Sequence, residues 1–183
     1  MTKEKIINQL VDVFRLYGYD GASLSCIAKA TGLGKTNLYH YFPGGKEEMA
    51  EAALTHVNMW LETCILNSLN SKAKPAEKLK SMCEQVQMFF DEGRKSCLWV
   101  VLALGSSSDD LFRDRIKQAL SRWIEAIALV LVESGLDAHL AKRRAEDAVL
   151  RIQGALVLAR GLNDTAPFQR TMQTLTTELL KSE

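Results

Sequence analysis

From Ile7 to Leu179 apolar side chains recur every three or four positions, and the three prolines, Pro43, Pro75 and Pro167, each fall where that rhythm breaks. A period near 3.6 buries one face of an amphipathic helix, whereas a half-buried strand needs strict alternation. No alternating run or hairpin signal occurs. Ile7, Leu10, Val11, Phe14 and Tyr17 form a first row, ended by Gly18. Met49, Ala53, Val57, Trp60 and Cys64 form a second, and Leu79, Met82, Cys83, Val86 and Phe90 a third that stops near Gly93. Phe112, Ile116, Leu120, Trp123, Ile127 and Val130 follow Asp109-Asp110, acids suited to a helix N-terminus. A long row from Leu140 to Ala159 follows Asp137, a good cap. Phe168, Met172, Leu175 and Leu179 follow the helix start Thr165-Ala166-Pro167. The rhythm predicts an all-α chain of about nine helices. The polar stretch Leu66 to Lys78 reads as a linker, entered by a helix from about Lys46 to Leu69.

The stretch TGLGKTNLYHYF, Thr31 to Phe42, contains the triplet Gly34-Lys35-Thr36, which also ends a phosphate-binding loop. Such a loop needs a leading glycine five positions before Gly34 and a buried strand ahead of it. The position is Lys29, and the residues before it pattern as a helix. The stretch is better read as a helix-turn-helix. Ser23 caps a short helix of about Leu24 to Thr31, Gly32 ends it in a left-handed conformation, and Leu33 is the buried residue of the turn. A second short helix runs from Gly34-Lys35 to about Tyr41 with Leu38 inward.

That second helix fits the major groove, N-terminal residues toward base edges. Asn37 suits a bidentate pair with adenine, Thr36 a thymine methyl or a polar edge, and Lys35 a guanine or a phosphate. Tyr39, His40 and Tyr41 line the flank where phosphates run, and Ser23 and Ser25 at the front of the preceding helix join them. Lys46 opens the next helix, whose first amides also suit a phosphate. Residues 1 to 46 carry six basic and three acidic side chains, a net of +3, which leaves −2 for the rest of a chain of net +1. A basic head on a slightly acidic body suits a polyanion.

The remaining chemistry is excluded by what is missing. Cys26, Cys64, Cys83 and Cys97 make no C-x-x-C pair and have no histidine at a metal spacing, so no metal and no cofactor is expected. His40, His56 and His139 fall on separate helices without an acid and nucleophile set, so the chain does not read as an enzyme. The longest apolar run, Cys97 to Leu104, is too short to span a membrane, and the N-terminus lacks the pattern of a signal peptide. A cytoplasmic location is expected, with reduced thiols.

Gly18-Tyr19, Ile27-Ala28, Gly32-Leu33-Gly34-Lys35, Leu38-Tyr39-His40-Tyr41-Phe42 and Lys46-Glu47 together resemble the DNA-binding signature of the TetR/AcrR family of transcriptional repressors. Two departures stand out: Gly34 replaces the usual hydroxyl cap, and the Pro43-Gly44-Gly45 turn is one residue longer than the common form. That extra glycine, with SCLWVVLALGSSSDDLFRDRI and IQGALVLARGLNDTAPFQR further on, resembles the branch typified by the lincomycin-resistance repressor.

The resemblance implies a DNA-binding domain at residues 1–46 and a ligand-binding and dimerisation domain at 47–183. It implies a homodimer on a palindromic double-stranded operator, released by a small-molecule inducer. Ala145, Ala148, Val149, Ile152, Ala155, Leu156 and Ala159, with Leu175 and Leu179, are expected at the dimer interface, the alternative being that the row is core within one chain. Met88, Phe89, Trp99, Leu102, Phe112, Trp123 and Ile127, with Gln153 and Arg160 as polar contacts, are expected to bind an apolar or aromatic ligand. Cys97, after Arg94-Lys95-Ser96 and at the start of an apolar helix, is the alternative trigger: a thiol sensing electrophiles or oxidants.

Overall fold

The computed structural model describes residues 2–105 and 109–181. Within them nine main α-helices follow one another, and no strand is present: α1 Lys3–Gly21, α2 Leu24–Thr31, α3 Lys35–Tyr41, α4 Gly45–Trp60, α5 Pro75–Phe89, α6 Leu98–Ala103, α7 Asp109–Glu133, α8 Ala138–Leu162 and α9 Ala166–Leu179. Ser106 to Ser108, in the first of the two quoted body segments, lie outside the described residues, as do the side chains of Asp109 and Asp110. No helix among the described residues is long and apolar enough to cross a membrane.

The chain divides into two compact units, one of residues 1–59 and 97–116, the other of 60–96 and 117–183. Packing thus does not divide at the expected 46/47 boundary. The first unit keeps most of α4 and adds α6 with the start of α7. The reasons are specific: Trp99 donates its indole N–H to Asn58 Oδ1 at 2.8 Å, and Arg115 Nη2 reaches Thr55 Oγ1 at 2.6 Å. Tyr19 meets the edge of Phe112 at 5.5 Å.

In this first unit α1 packs on α2 and α6. Its buried apolar residues are Ile6, Leu10, Val11, Val13 and Phe14, so Leu10, Val11 and Phe14 lie as read in the sequence, while Ile7 is half-buried and Ile6 takes its place. Tyr17 is half exposed because Gly18, at φ 67°, breaks the helix just after it. Only glycine reaches that conformation without strain.

The second unit is built on aromatic contacts and long helices. α4 continues into a π-helical turn, Leu61–Leu66, and a last short piece, Asn67–Leu69. A π turn carries one surplus residue per turn and is rare. Arg122 pairs through both nitrogens with Glu62 on it. The Trp60 ring stacks on Phe89 at 3.7 Å, Phe89 meets Phe90 edge-on, and Phe90 meets Phe168. Helix α5 starts at Pro75, where Glu77 Oε2 accepts the Lys74 N–H at 3.2 Å, so the expected linker shrinks to residues 70–74. Lys78 is buried and satisfied by Glu133 at 2.6 Å. Asp137 caps α8 by accepting the N–H groups of His139 and Leu140, and those bonds hold its carboxyl below the usual carboxylate pKa. Helix α9 lies against α8 and α5. Before α6 the chain turns through three left-handed residues, Asp91, Glu92 and Gly93, with Gly93 pressed against Phe168.

Candidate nucleic-acid interface

The short helices α2 and α3 are fixed by local bonds and two buried anchors. Ser23 accepts the Cys26 N–H at 3.1 Å and so caps α2. Thr31 bonds back to the Ile27 carbonyl at 2.8 Å and accepts the Leu33 N–H at 3.3 Å, which joins the end of α2 to the turn. Gly32 sits at φ 68°, ψ 14°, the left-handed stop expected of it. Leu33 is half-buried. Gly34 begins α3 with no side-chain cap, as its lack of a hydroxyl requires. Ile27 on α2 and Leu38 on α3 are wholly buried, and Phe42, also buried, closes α3 by donating its N–H to Leu38 at 2.8 Å. Gln9 on α1 ties in α2 by donating Nε2 to the Ala30 carbonyl.

With Leu38 inward, the side chains around it point out. Lys35, Thr36, Asn37 and His40 are exposed, and Tyr39 is 46% exposed. Tyr41 is half-buried and meets His40 edge to face at 5.8 Å. Ser23 and Ser25 are exposed at the front of α2. The first turn of α3 therefore presents a cation, a hydroxyl and an amide in succession. That set can read base edges, and no catalytic function follows from it.

At the start of α4, where phosphate contacts are expected, two groups are engaged within the chain. Lys46 is half-buried, with its ammonium 3.1 Å from the Tyr19 carbonyl and 4.4 Å from the centre of the Tyr19 ring. Its ammonium thereby ties the start of α4 to the end of α1. The Gly44 N–H is also taken, by Glu48 Oε2 at 2.7 Å, so the turn into α4 carries its own anion. Sequence reasoning missed both bonds: Tyr19 lies 27 residues from Lys46, whereas the Gly44–Glu48 bond spans only four residues and was within reach of a local reading.

The expected dimer residues need correction. Ala145, Ala148, Val149, Ile152, Ala155, Leu156, Ala159, Leu175 and Leu179 are all buried in the single chain, at 6% exposure or less. They are buried in a chain whose α8 packs closely on α9. A different row of α8 stays open: Leu150, Val157, Leu158 and Leu162 are 53–70% exposed, with Gly154 and Gly161 on the same side.

The expected ligand residues fall in both units. Trp99, Leu102 and Phe112 are buried in the first unit, while Met88, Phe89, Trp123, Ile127, Gln153 and Arg160 belong to the second. Met88 is 63% exposed, and Phe89 is spent on Trp60. Trp123 gives its N–H to the Met82 sulfur, and exposed Arg160 donates to Ser96. Gln153 differs, because its amide oxygen and nitrogen are both buried without a hydrogen-bond partner. Cys97 is 4% exposed and precedes α6. Arg15, itself buried in the same unit, has its pKa lowered by burial, an effect that Cys97 and Asp12 oppose.

Comparison with known proteins bears on the same segments. Residues 6–53 match the model of bacterial regulatory proteins of the tetR family. Residues 75–174 match the C-terminal domain of LmrA/YxaF-like transcriptional regulators. The chain is 27% identical to the HTH-type transcriptional regulator YxaF of Bacillus subtilis over 170 residues, covering 91% of this chain and 88% of that protein. It is 25% identical to LmrA of the same organism over 171 residues, 91% and 90% of the two chains. Among solved structures, a TetR transcriptional regulator from Legionella pneumophila superposes with a TM-score of 0.81 at 22% identity, over 97% of both chains. The reduced form of NemR from E. coli superposes with a TM-score of 0.69 at 20% identity, over 97% and 96%.

Proposed function

The chain belongs to the TetR family of bacterial transcriptional regulators, with a C-terminal domain of the LmrA/YxaF type, and from that premise we propose that it is a repressor released by a small molecule. The family is one of DNA-binding regulators rather than enzymes. In this reading residues 1–46 read the operator and 47–183 serve effector binding and dimerisation. One observation carries the choice of reading residues: Lys35, Thr36 and Asn37 stand exposed in the first turn of α3 while Leu38 anchors that helix. Ser23, Ser25, Tyr39, His40 and Tyr41 are assigned to the flanking backbone.

A two-fold operator needs two reading heads in fixed register. The open α8 row of Leu150, Val157, Leu158 and Leu162 supports a dimer through that face, and Gly154 and Gly161 allow close approach because a Cβ at either meets nothing within 4 Å. The unpartnered Gln153 amide supports an effector that offers a polar group inside an apolar pocket. Such an effector shifts the protein to a non-binding state only by its differential affinity for the two states. Fluorescence anisotropy with duplexes tiling the region upstream of the chain's own gene tests this. A palindromic segment bound far more tightly than generic duplex is expected, and binding to no segment beyond the generic level overturns the repressor reading.

Arg15 favours a second reading, in which Cys97 is the trigger. A cation near a thiol favours the thiolate and raises reactivity. Treatment with N-ethylmaleimide should then release operator from the native chain and leave a Cys97→Ser chain bound. Equal response of the two chains removes this reading.

A further inference from the structure

With Lys46 and the Gly44 amide engaged within the chain, other cations beside α3 are candidates to meet the DNA backbone. Lys35 is exposed at the N-terminal end of α3. At the other end stands a residue from the start of the chain. Lys3 Nζ lies 5.1 Å from the centre of the Phe42 ring, and Phe42 is the residue that closes α3. The contact is within cation–π range.

The placement follows from helix geometry. Lys3 precedes Ile6 by three residues and Leu10 by seven, so it continues the buried row of α1 past the edge of the core. Its methylene stem covers apolar surface while the ammonium stays in water. The first turn that carries it is fixed by Thr2, which accepts the Lys5 N–H at 3.3 Å. No ion pair to Lys3 is present among the described residues, so its charge is available. Lys5 has the same charge in the same turn but lies two residues on, about 200° around the helix. It shares its side with exposed Asp12 and Leu16.

From this geometry we infer that Lys3 is a phosphate contact of the DNA interface, paired with Lys35 so that a cation stands at each end of the recognition helix. The inference rests on the DNA-binding reading and extends it to a residue ahead of the matched segment, which starts at residue 6. Helix α3 has seven residues, about 10 Å at 1.5 Å each, so the two cations pin a short rod at both ends. Holding the ammonium over Phe42 before DNA arrives lowers the ordering cost of the contact.

The test measures binding of the full chain to a labelled generic duplex across a series of potassium chloride concentrations. Each phosphate contact contributes about 0.9 to the slope of log affinity against log salt. Lys3→Ala should reduce the slope by about that amount and weaken binding roughly tenfold near ~0.1 M salt, on generic and operator duplex alike. Lys3→Arg should keep the slope, and Lys5→Ala should leave it unchanged. An unaltered slope in Lys3→Ala, or an equal fall in Lys5→Ala, overturns the inference while leaving the DNA-binding reading intact. Absence of salt-dependent duplex binding by the unmodified chain removes both.

Discussion

At the scale of the residue, the proposed reading of the head separates side chains assigned to base edges from side chains that hold the helices together. Asn37 is exposed in the first turn of α3, and its amide matches the paired donor and acceptor of adenine. Asn37→Ala is expected to cost about 1–3 kcal/mol against one operator base pair and to relax preference there. Binding to a full set of single-base operator variants checks it, since a uniform loss would assign Asn37 to the backbone. Lys46 is of the other kind. Losing its bond to the Tyr19 carbonyl and its place over that ring should cost about 1–2 kcal/mol of stability. Lys46→Ala should therefore melt a few degrees lower, yet show the salt slope of the unmodified chain. A flattened slope at unchanged melting temperature would put its ammonium on a phosphate after all.

At the scale of the element, what was legible was local. Ser23 and Asp137 as caps, Gly32 as a left-handed stop, and Leu38 as the inward anchor of α3 depend on neighbours within four residues, and each is seen. The all-α class followed from the same short-range rhythm. The π turn at Leu61–Leu66 left no signal, because the apolar spacing there continues through the surplus residue. Burial of the α8 alanine row was legible, but not what it is buried against. A small-residue stripe admits any close helix, and α9 of the same chain occupies it. The turn of Asp91, Glu92 and Gly93 had no sequence signal beyond its glycine. It offers a direct check on packing. A Cβ at Gly93 would lie 2.9 Å from Phe168 at a φ of 94°. Gly93→Ala should cost about 2 kcal/mol or more from strain and overlap together. A chain of this size should then melt about 4–8 °C lower by calorimetry. An unchanged melting temperature would mean that Phe168 moves aside freely.

At the scale of the whole molecule, the proposed dimer rests on the open row of α8. Leu158 and Val157 are 53% and 59% exposed, so charged replacements there should leave the folded chain intact. The double variant Val157→Glu, Leu158→Glu is expected to sediment as a monomer with unchanged helical circular dichroism, and to lose operator affinity by orders of magnitude. Ala155→Glu, at a buried position, should instead unfold the second unit. A double variant that still sediments as a dimer would move the interface elsewhere. The π turn carries a consequence of another sort, for how this chain tolerates change in length. Removing one residue between Leu61 and Leu66 would let that stretch relax to ordinary α geometry, with both flanks still in the rotational phase that buries them. The same excision a few turns earlier, near Ala53, would rotate everything downstream by about 100° and expose its apolar side. Length drift in this long helix is therefore cheapest at the surplus residue, which serves as its local slack.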